Sequence, residues 1–149
     1  NGARELVKAG AVPNEIASNF TQRRPLSSLR VLQKALDSLS LHRDASIATL
    51  RVTRKDMEQT GATVPDLEGI VDYGRSLATV EVALFAMEMR DGIRISLRSK
   101  KADVSKVAMA FGGGGHKVAS GFTLTQIGLQ ESIDTILSKI EELGILDEK

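Results

Sequence analysis

Thr79-Val80-Glu81-Val82-Ala83-Leu84-Phe85-Ala86-Met87-Glu88-Met89, then Arg90-Asp91-Gly92, then Ile93-Arg94-Ile95-Ser96-Leu97-Arg98-Ser99, is the stretch on which the fold turns. Its first part is apolar at odd and even positions alike around Val80, Val82, Ala83, Leu84, Phe85 and Ala86, as a strand covered on both faces requires. Its last part alternates. Ile93, Ile95 and Leu97 share one face and Arg94, Ser96 and Arg98 the other, the period of a strand with one polar side. Between them, Asp91-Gly92 predicts a type I′ hairpin turn.

Downstream, Asp103 is placed to cap a helix whose Val104, Val107, Ala108 and Phe111 fall at helical spacing. A glycine-rich loop, a short strand over Phe122–Thr125 and an amphipathic helix follow. That helix carries Leu129, Ile133, Ile136, Leu137, Ile140 and Leu143 on one side and is closed by Gly144. Upstream, residues 3–10 and 13–22 read as two short helices, with a polar linker before Pro25. Pro25 suits the start of a helix to about Leu39, with Leu26, Leu29, Leu32, Leu36 and Leu39 as its apolar face. Ser46–Thr53 reads as a strand, and 54–60 and 66–77 as helices. Strands mixed with helices around a hairpin predict an α/β fold, a mixed β-sheet with helices packed on it.

The 149 residues suffice for one core, since a domain of this size buries roughly 70% of the surface of its unfolded chain. Hydrophobic residues at 42% and charged residues at 26% are globular values and exclude a disordered chain. No apolar run approaches the ~20 residues of a membrane-crossing helix. Cysteine is absent, which excludes disulfides, thiolate metal sites and cysteine nucleophiles. The start, Asn1-Gly2-Ala3-Arg4-Glu5-Leu6, has neither an initiating Met nor a secretory h-region. It reads as a cut inside a longer protein, and a cytoplasmic location is the expectation.

The net charge of +1 hides a gradient. From Arg90 to Gly121 seven basic residues face Asp91 and Asp103, whereas from Gln126 to Lys149 six acids face two lysines. A local basic field suits a modest anion. It is not the long stripe of a duplex-DNA binder, and four Phe, one Tyr and no Trp supply no multi-base stacking platform.

Gly112-Gly113-Gly114-Gly115-His116-Lys117-Val118-Ala119-Ser120-Gly121 holds five glycines in ten residues. Each costs backbone entropy on ordering, so the run fits a place where turns or close backbone approach demand it. Bare amides can form a concave nest for phosphate, and His116–Ala119 could open a helical turn behind it. His116 would add a donor and Lys117 a charge. A flexible hinge with His116 as a satisfied core residue is the rival reading. A nucleotide-triphosphate P-loop fails: His116 separates Gly115 from Lys117, and Val118 stands where a hydroxyl is needed.

Arg98 lies between hydroxyls in Ser96-Leu97-Arg98-Ser99, where its fork could grip phosphate. On spacing alone, an exposed strand arginine explains it equally well. Arg75 is a weaker candidate, better explained by its place at a helix C-terminus. His42 has no partner in sequence and reads as surface, and Phe85, Met87 and Met89 read as core. Asp37, Asp56, Glu58, Asp66 and Glu68 are scattered on helical surfaces. With two histidines, no metal site and no nucleophile–base pair emerge. No catalytic residue is assigned; the chain reads as a phosphate binder.

At Ser96-Leu97-Arg98-Ser99, Asp103-Val104, Phe111-Gly112-Gly113-Gly114-Gly115-His116-Lys117 and Ala119-Ser120-Gly121, the sequence resembles the C-terminal DHH-associated domain of the DHH phosphoesterase superfamily. Within it, the likeness is to the oligoribonuclease (nanoRNase) and pAp phosphatase branch. It extends through Glu68-Gly69-Ile70-Val71-Asp72 and Val80–Phe85, and Ala3–Phe20 resembles the closing helices of the catalytic domain. The resemblance divides the chain into 1–22, catalytic-domain helices and linker, and 23–149, the substrate-binding domain.

It implies that Gly113, Gly114, Gly115 and His116 hold substrate phosphate together with Arg98, flanked by Ser96, Ser99 and Lys117. It also implies a partner catalytic domain whose two divalent metals, typically manganese, activate water, and short single-stranded RNA or a nucleotide phosphate as ligand. No Asp-His-His triplet occurs in these residues, so the chain alone is expected to bind no metal cofactor and to hydrolyse nothing. A homodimer is compatible with it, and a membrane partner is not expected. Three other readings stay open: a cyclic-dinucleotide phosphodiesterase, a RecJ-like single-strand exonuclease, and a regulatory or dimerising module without catalysis.

Overall fold

A computed structural model of the chain describes residues 24–147. The two helices expected over 3–10 and 13–22, and with them the boundary at residue 22, lie outside the described residues. The order is α1 (Leu26–Asp37), β1 (Ser40–His42), β2 (Ile47–Val52), α2 (Arg54–Thr60), a 3₁₀ turn (Val64–Leu67), α3 (Ile70–Arg75), β3 (Val82–Glu88), β4 (Ile93–Ser99), α4 (Ser105–Ala110), β5 (Gly114–His116), β6 (Ala119–Leu124) and α5 (Leu129–Leu143). The six strands form one mixed sheet in the order β1-β2-β3-β4-β6-β5. Only β2 and β3 run parallel, and a parallel pair needs the crossover that residues 53–81 supply.

β3 is the hinge of the packing. Val82, Leu84 and Ala86 point into one apolar cluster with Ile93, Ile95 and Leu97 of β4, α4 and the Ile133-Ile136-Ile140 stripe of α5. Ala83, Phe85 and Met87 point into the other, with Leu50 and Val52 of β2 and with α1 and α3. The strand is therefore apolar on both faces, as its sequence requires. α1 and α3 cover their face over β2 and β3, and α3 reaches β4. Over β6 and β5 that face is left open, since α4 and α5 pack on the opposite side.

The structure departs from the expected elements at five places. In α1 the leucines are not the buried face: Leu26, Leu29 and Leu36 are 64%, 49% and 41% exposed, while Ser28, Val31 and Ala35 are buried. Small side chains let the helix lie close to β2, which the larger leucines would prevent; Leu32 and Leu39 only flank the contact. Residues 40–42 form an edge strand, so His42 is not a free surface residue. It is half-buried, with Nε2 2.9 Å from the Thr49 hydroxyl. The helix expected over 66–77 is split, because Gly69 sits at φ +84° between the 3₁₀ turn and α3.

The β3–β4 hairpin forms without a type I′ turn. The Met89 amide donates to the Gly92 carbonyl at 2.8 Å, so Arg90 and Asp91 make the turn, and neither Asp91 nor Gly92 has positive φ. Gly92 is needed for a different reason: a Cβ there would meet the Leu124 carbonyl at 2.5 Å. Finally, His116–Ala119 opens no helix. Gly114–His116 is an edge strand turning through Lys117-Val118 into β6, because its amides find partners in β6.

Candidate functional site

The open face is built by register. Directly paired residues project to the same side of a sheet, and three strands align here: Arg98 of β4 with Ala119 of β6 and His116 of β5, and Ser96 with Gly121 and Gly114. Neighbouring strands lie about 4.8 Å apart, so Arg98 and His116 stand roughly 10 Å apart across one small residue. Between them the floor is alanine and glycine, free of bulk. Arg94, paired with Thr123, extends the row.

The glycines divide by what they do. Gly115 has φ +144°, and a Cβ there would fall 2.6 Å from Ser120 Cα; one on Gly113 would strike the Gly121 carbonyl and Phe122. Those positions are set by chain packing. Gly114 has no positive φ, and a Cβ on it would meet nothing within 4 Å. The fold does not demand glycine at 114, next to His116, which leaves bare backbone facing open space.

The polar side chains are available. His116 and Lys117 are exposed, with Lys117 at the turn, where its carbonyl accepts the Val104 amide at 2.8 Å. Arg98 is half-buried and donates from Nη1 to its own neighbour's carbonyl, Leu97, at 2.9 Å. The rest of its fork is unpaired among the described residues. Arg94, Ser96 and Arg98 also line a cavity of about 450 Å³ beneath the 64–71 segment.

Ser99 does not join them. It projects to the other face, is buried, and donates its hydroxyl to the Ala102 carbonyl at 2.5 Å. Arg75 is tied to Asp72 on α3 at 2.9 Å, so its role is helical. Asp103 accepts the Ser105 amide at 3.1 Å and the Ser105 hydroxyl at the start of α4. That hydroxyl bond, against a smaller opposing effect of burial and helped by backbone amides and the Lys106 charge, holds its carboxyl below the usual 3.8. Arg94 was readable from the alternation of β4. Glu68 faces the same cavity from the segment before α3; its stretch, Glu68-Gly69-Ile70-Val71-Asp72, carries part of the resemblance, but only the tertiary fold brings it beside Arg94 and Arg98.

Among the described residues, no three His, Asp or Glu side chains converge to hold a metal ion, and no helix is long and apolar enough to cross a membrane. The arrangement is a chemically simple one: a guanidinium, an imidazole and exposed glycine backbone on one open face.

Known proteins resemble the chain in sequence and in fold. The chain is 28% identical over 141 residues to the bifunctional oligoribonuclease and PAP phosphatase NrnA of Thermus thermophilus, covering 94% of this chain and 42% of that protein. It is 27% identical over 96 residues to the protein of the same name from Bacillus subtilis, covering 64% of this chain and 30% of that one. It therefore spans less than half the length of either. A crystal structure of an exopolyphosphatase-related protein from Bacteroides fragilis superposes with a TM-score of 0.76 at 27% identity, over 87% of this chain and 39% of that one. A pGpG-specific phosphodiesterase from Vibrio shares the fold at 9% identity and a TM-score of 0.52, over 78% of this chain and 39% of that one. The family model of the DHHA1 domain matches residues 44–143, and the chain belongs to that family.

Proposed function

We propose that this chain is the substrate-binding part of a two-domain phosphoesterase acting on short RNA oligomers, pAp or both, and that it holds the substrate phosphate on the open face. The observation that carries this reading is the register of Arg98, Ala119 and His116 beside the unhindered backbone of Gly114. Phosphate accepts hydrogen bonds from all sides, and a guanidinium and an imidazole on opposite flanks can clamp it. Ser96 lies in the adjoining row, and Lys117 adds charge at the turn. Bound so, a terminal phosphate would fix where the scissile bond meets the catalytic domain, a positioning role.

Manganese is assigned to no residue described here, because none forms a site for it; divalent metals belong to the catalytic domain in this reading. The parent would be a cytoplasmic hydrolase, with its own catalytic domain as this surface's first partner. A dimerising module is the second reading, favoured by the outward leucines of α1.

An amide NMR titration with pAp tests the proposal. Saturable shifts confined to residues 112–119 and β4 are expected. No shifts up to millimolar pAp would overturn phosphate binding by this chain.

A further inference from the structure

On the flank of Arg98 away from His116, the open face runs into the 450 Å³ cavity. Its floor is apolar, from Phe85 and Met87 of β3. Its rim is polar and of both signs. Arg94, Ser96 and Arg98 line it from β4, beside that floor, and Glu68 lines it from the segment before α3.

Among the described residues, the side chains of Glu68, Arg94 and Ser96 make no hydrogen bond or ion pair, with one another or with anything else. Three unpartnered polar groups facing one cavity do nothing for the fold. The lip is also unusual: Val64 is 62% exposed although it is apolar. An apolar slot with a few convergent polar groups is the form of a small-molecule site.

What fits is a flat ring whose edge carries donors and acceptors side by side. We infer that the cavity takes the nucleobase of the nucleotide whose phosphate lies between Arg98 and His116, and that Glu68 selects bases bearing an exocyclic amino group. This rests on the phosphate reading above. The ring lies over Phe85 and Met87, Glu68 accepts from the amino N–H, and Arg94 and Ser96 donate to ring or carbonyl acceptors. A carboxylate is a natural acceptor for the N4 amino group of cytosine. Uracil presents O4 at that place, and two facing acceptors repel, leaving both unsatisfied.

The test is an NMR titration of the 149-residue chain with CMP, UMP, cytidine and ribose 5-phosphate. CMP is expected to bind roughly tenfold more tightly than UMP, with the amides of Glu68 and Gly69 moving for CMP and cytidine but not for ribose 5-phosphate. In Glu68→Ala the CMP and UMP affinities should become equal while ribose 5-phosphate binds as before. Glu68 is exposed and unpaired, and an unchanged spectrum of the free variant checks that it is folded. Equal affinities in the parent sequence, or a difference that survives Glu68→Ala, overturns the inference. Failure of the phosphate reading looks different: neither CMP nor ribose 5-phosphate then moves the amides of residues 114–116, whatever happens at Glu68.

Discussion

Gly114 and Gly115 are adjacent and chemically identical, yet the structure uses them in opposite ways. A methyl group at 115 would collide with the β6 backbone from a conformation L-residues rarely adopt, whereas one at 114 would enter open space. Gly115→Ala should therefore loosen the β5–β6 hairpin, seen as faster amide exchange across residues 114–120. Gly114→Ala should leave the unfolding midpoint unchanged or slightly raised, by up to about 1 kcal/mol, and still abolish the pAp-induced shifts. A ligand that bound without touching that backbone would tolerate the methyl, and the phosphate reading would lose its support. Arg98→Ala and His116→Ala should each weaken pAp by tenfold to a hundredfold, as loss of a charged phosphate bond costs about 1.5–3 kcal/mol. Ser99→Ala is the contrast from the same strand. It should cost stability of about 1–2 kcal/mol by removing the buried bond to Ala102, with pAp affinity intact.

Helix α1 shows how one element can carry two stripes of the same period. Leu26, Leu29 and Leu36 dominate its hydrophobicity, but Ser28, Val31 and Ala35 meet the sheet. Val31→Ala should lower stability by roughly 1–3 kcal/mol, while Leu29→Ala should stay within about 1 kcal/mol. Urea midpoints decide between the two faces. Elements with one unambiguous stripe were legible beforehand: α5 with its isoleucines and Gly144 in the left-handed conformation, and the β3–β4 pair with its two kinds of face. β5 was not, because three residues that include two glycines carry no side-chain pattern, and their strand character comes entirely from the amides of β6. Arg98 and His116 could be nominated separately, by alternation and by glycine content, but their meeting on one face depends on β6 inserting between β4 and β5. At α4 the N-cap is Val104 and not the expected Asp103, but the bonds from Ser105 to the Asp103 carboxylate make a pH prediction. Its folded carboxyl titrates below 3.8, so its stabilising effect is complete above the unfolded value and is lost as pH falls through the folded one. Asp103→Asn should cost stability at pH 7 and progressively less below about pH 4, measured by urea midpoints at each pH.

Across residues 24–147, one sheet separates two apolar clusters, and β3 belongs to both through alternate residues. Neither cluster can melt while the other keeps β3 ordered without exposing half of that strand's side chains. Leu84→Ala on one side and Phe85→Ala on the other should each cost about 2–5 kcal/mol and shift a single cooperative transition, the same by circular dichroism and by fluorescence of an added probe dye. The polarity of the sheet adds a direction. Glu131, Asp134, Glu141 and Glu142, with Lys139, lie on α5 against the face opposite the open one, whereas Arg94 and Arg98 stand on the open face, a difference in charge that favours an anion on the open side. Because the ligand surface spans β4, β6 and β5, ligand held there stabilises the native state as a whole. Saturating pAp at a hundred times its dissociation constant should raise the stability of that one transition by about 2.7 kcal/mol. The gain should vanish in Gly114→Ala, which keeps the clusters and removes only access to the backbone. It should shrink as salt is raised, because the basic face is solvent-exposed and its attraction is screened beyond about 10 Å at 0.1 M. A gain equal in both proteins and indifferent to salt would mean that pAp binds elsewhere on the molecule.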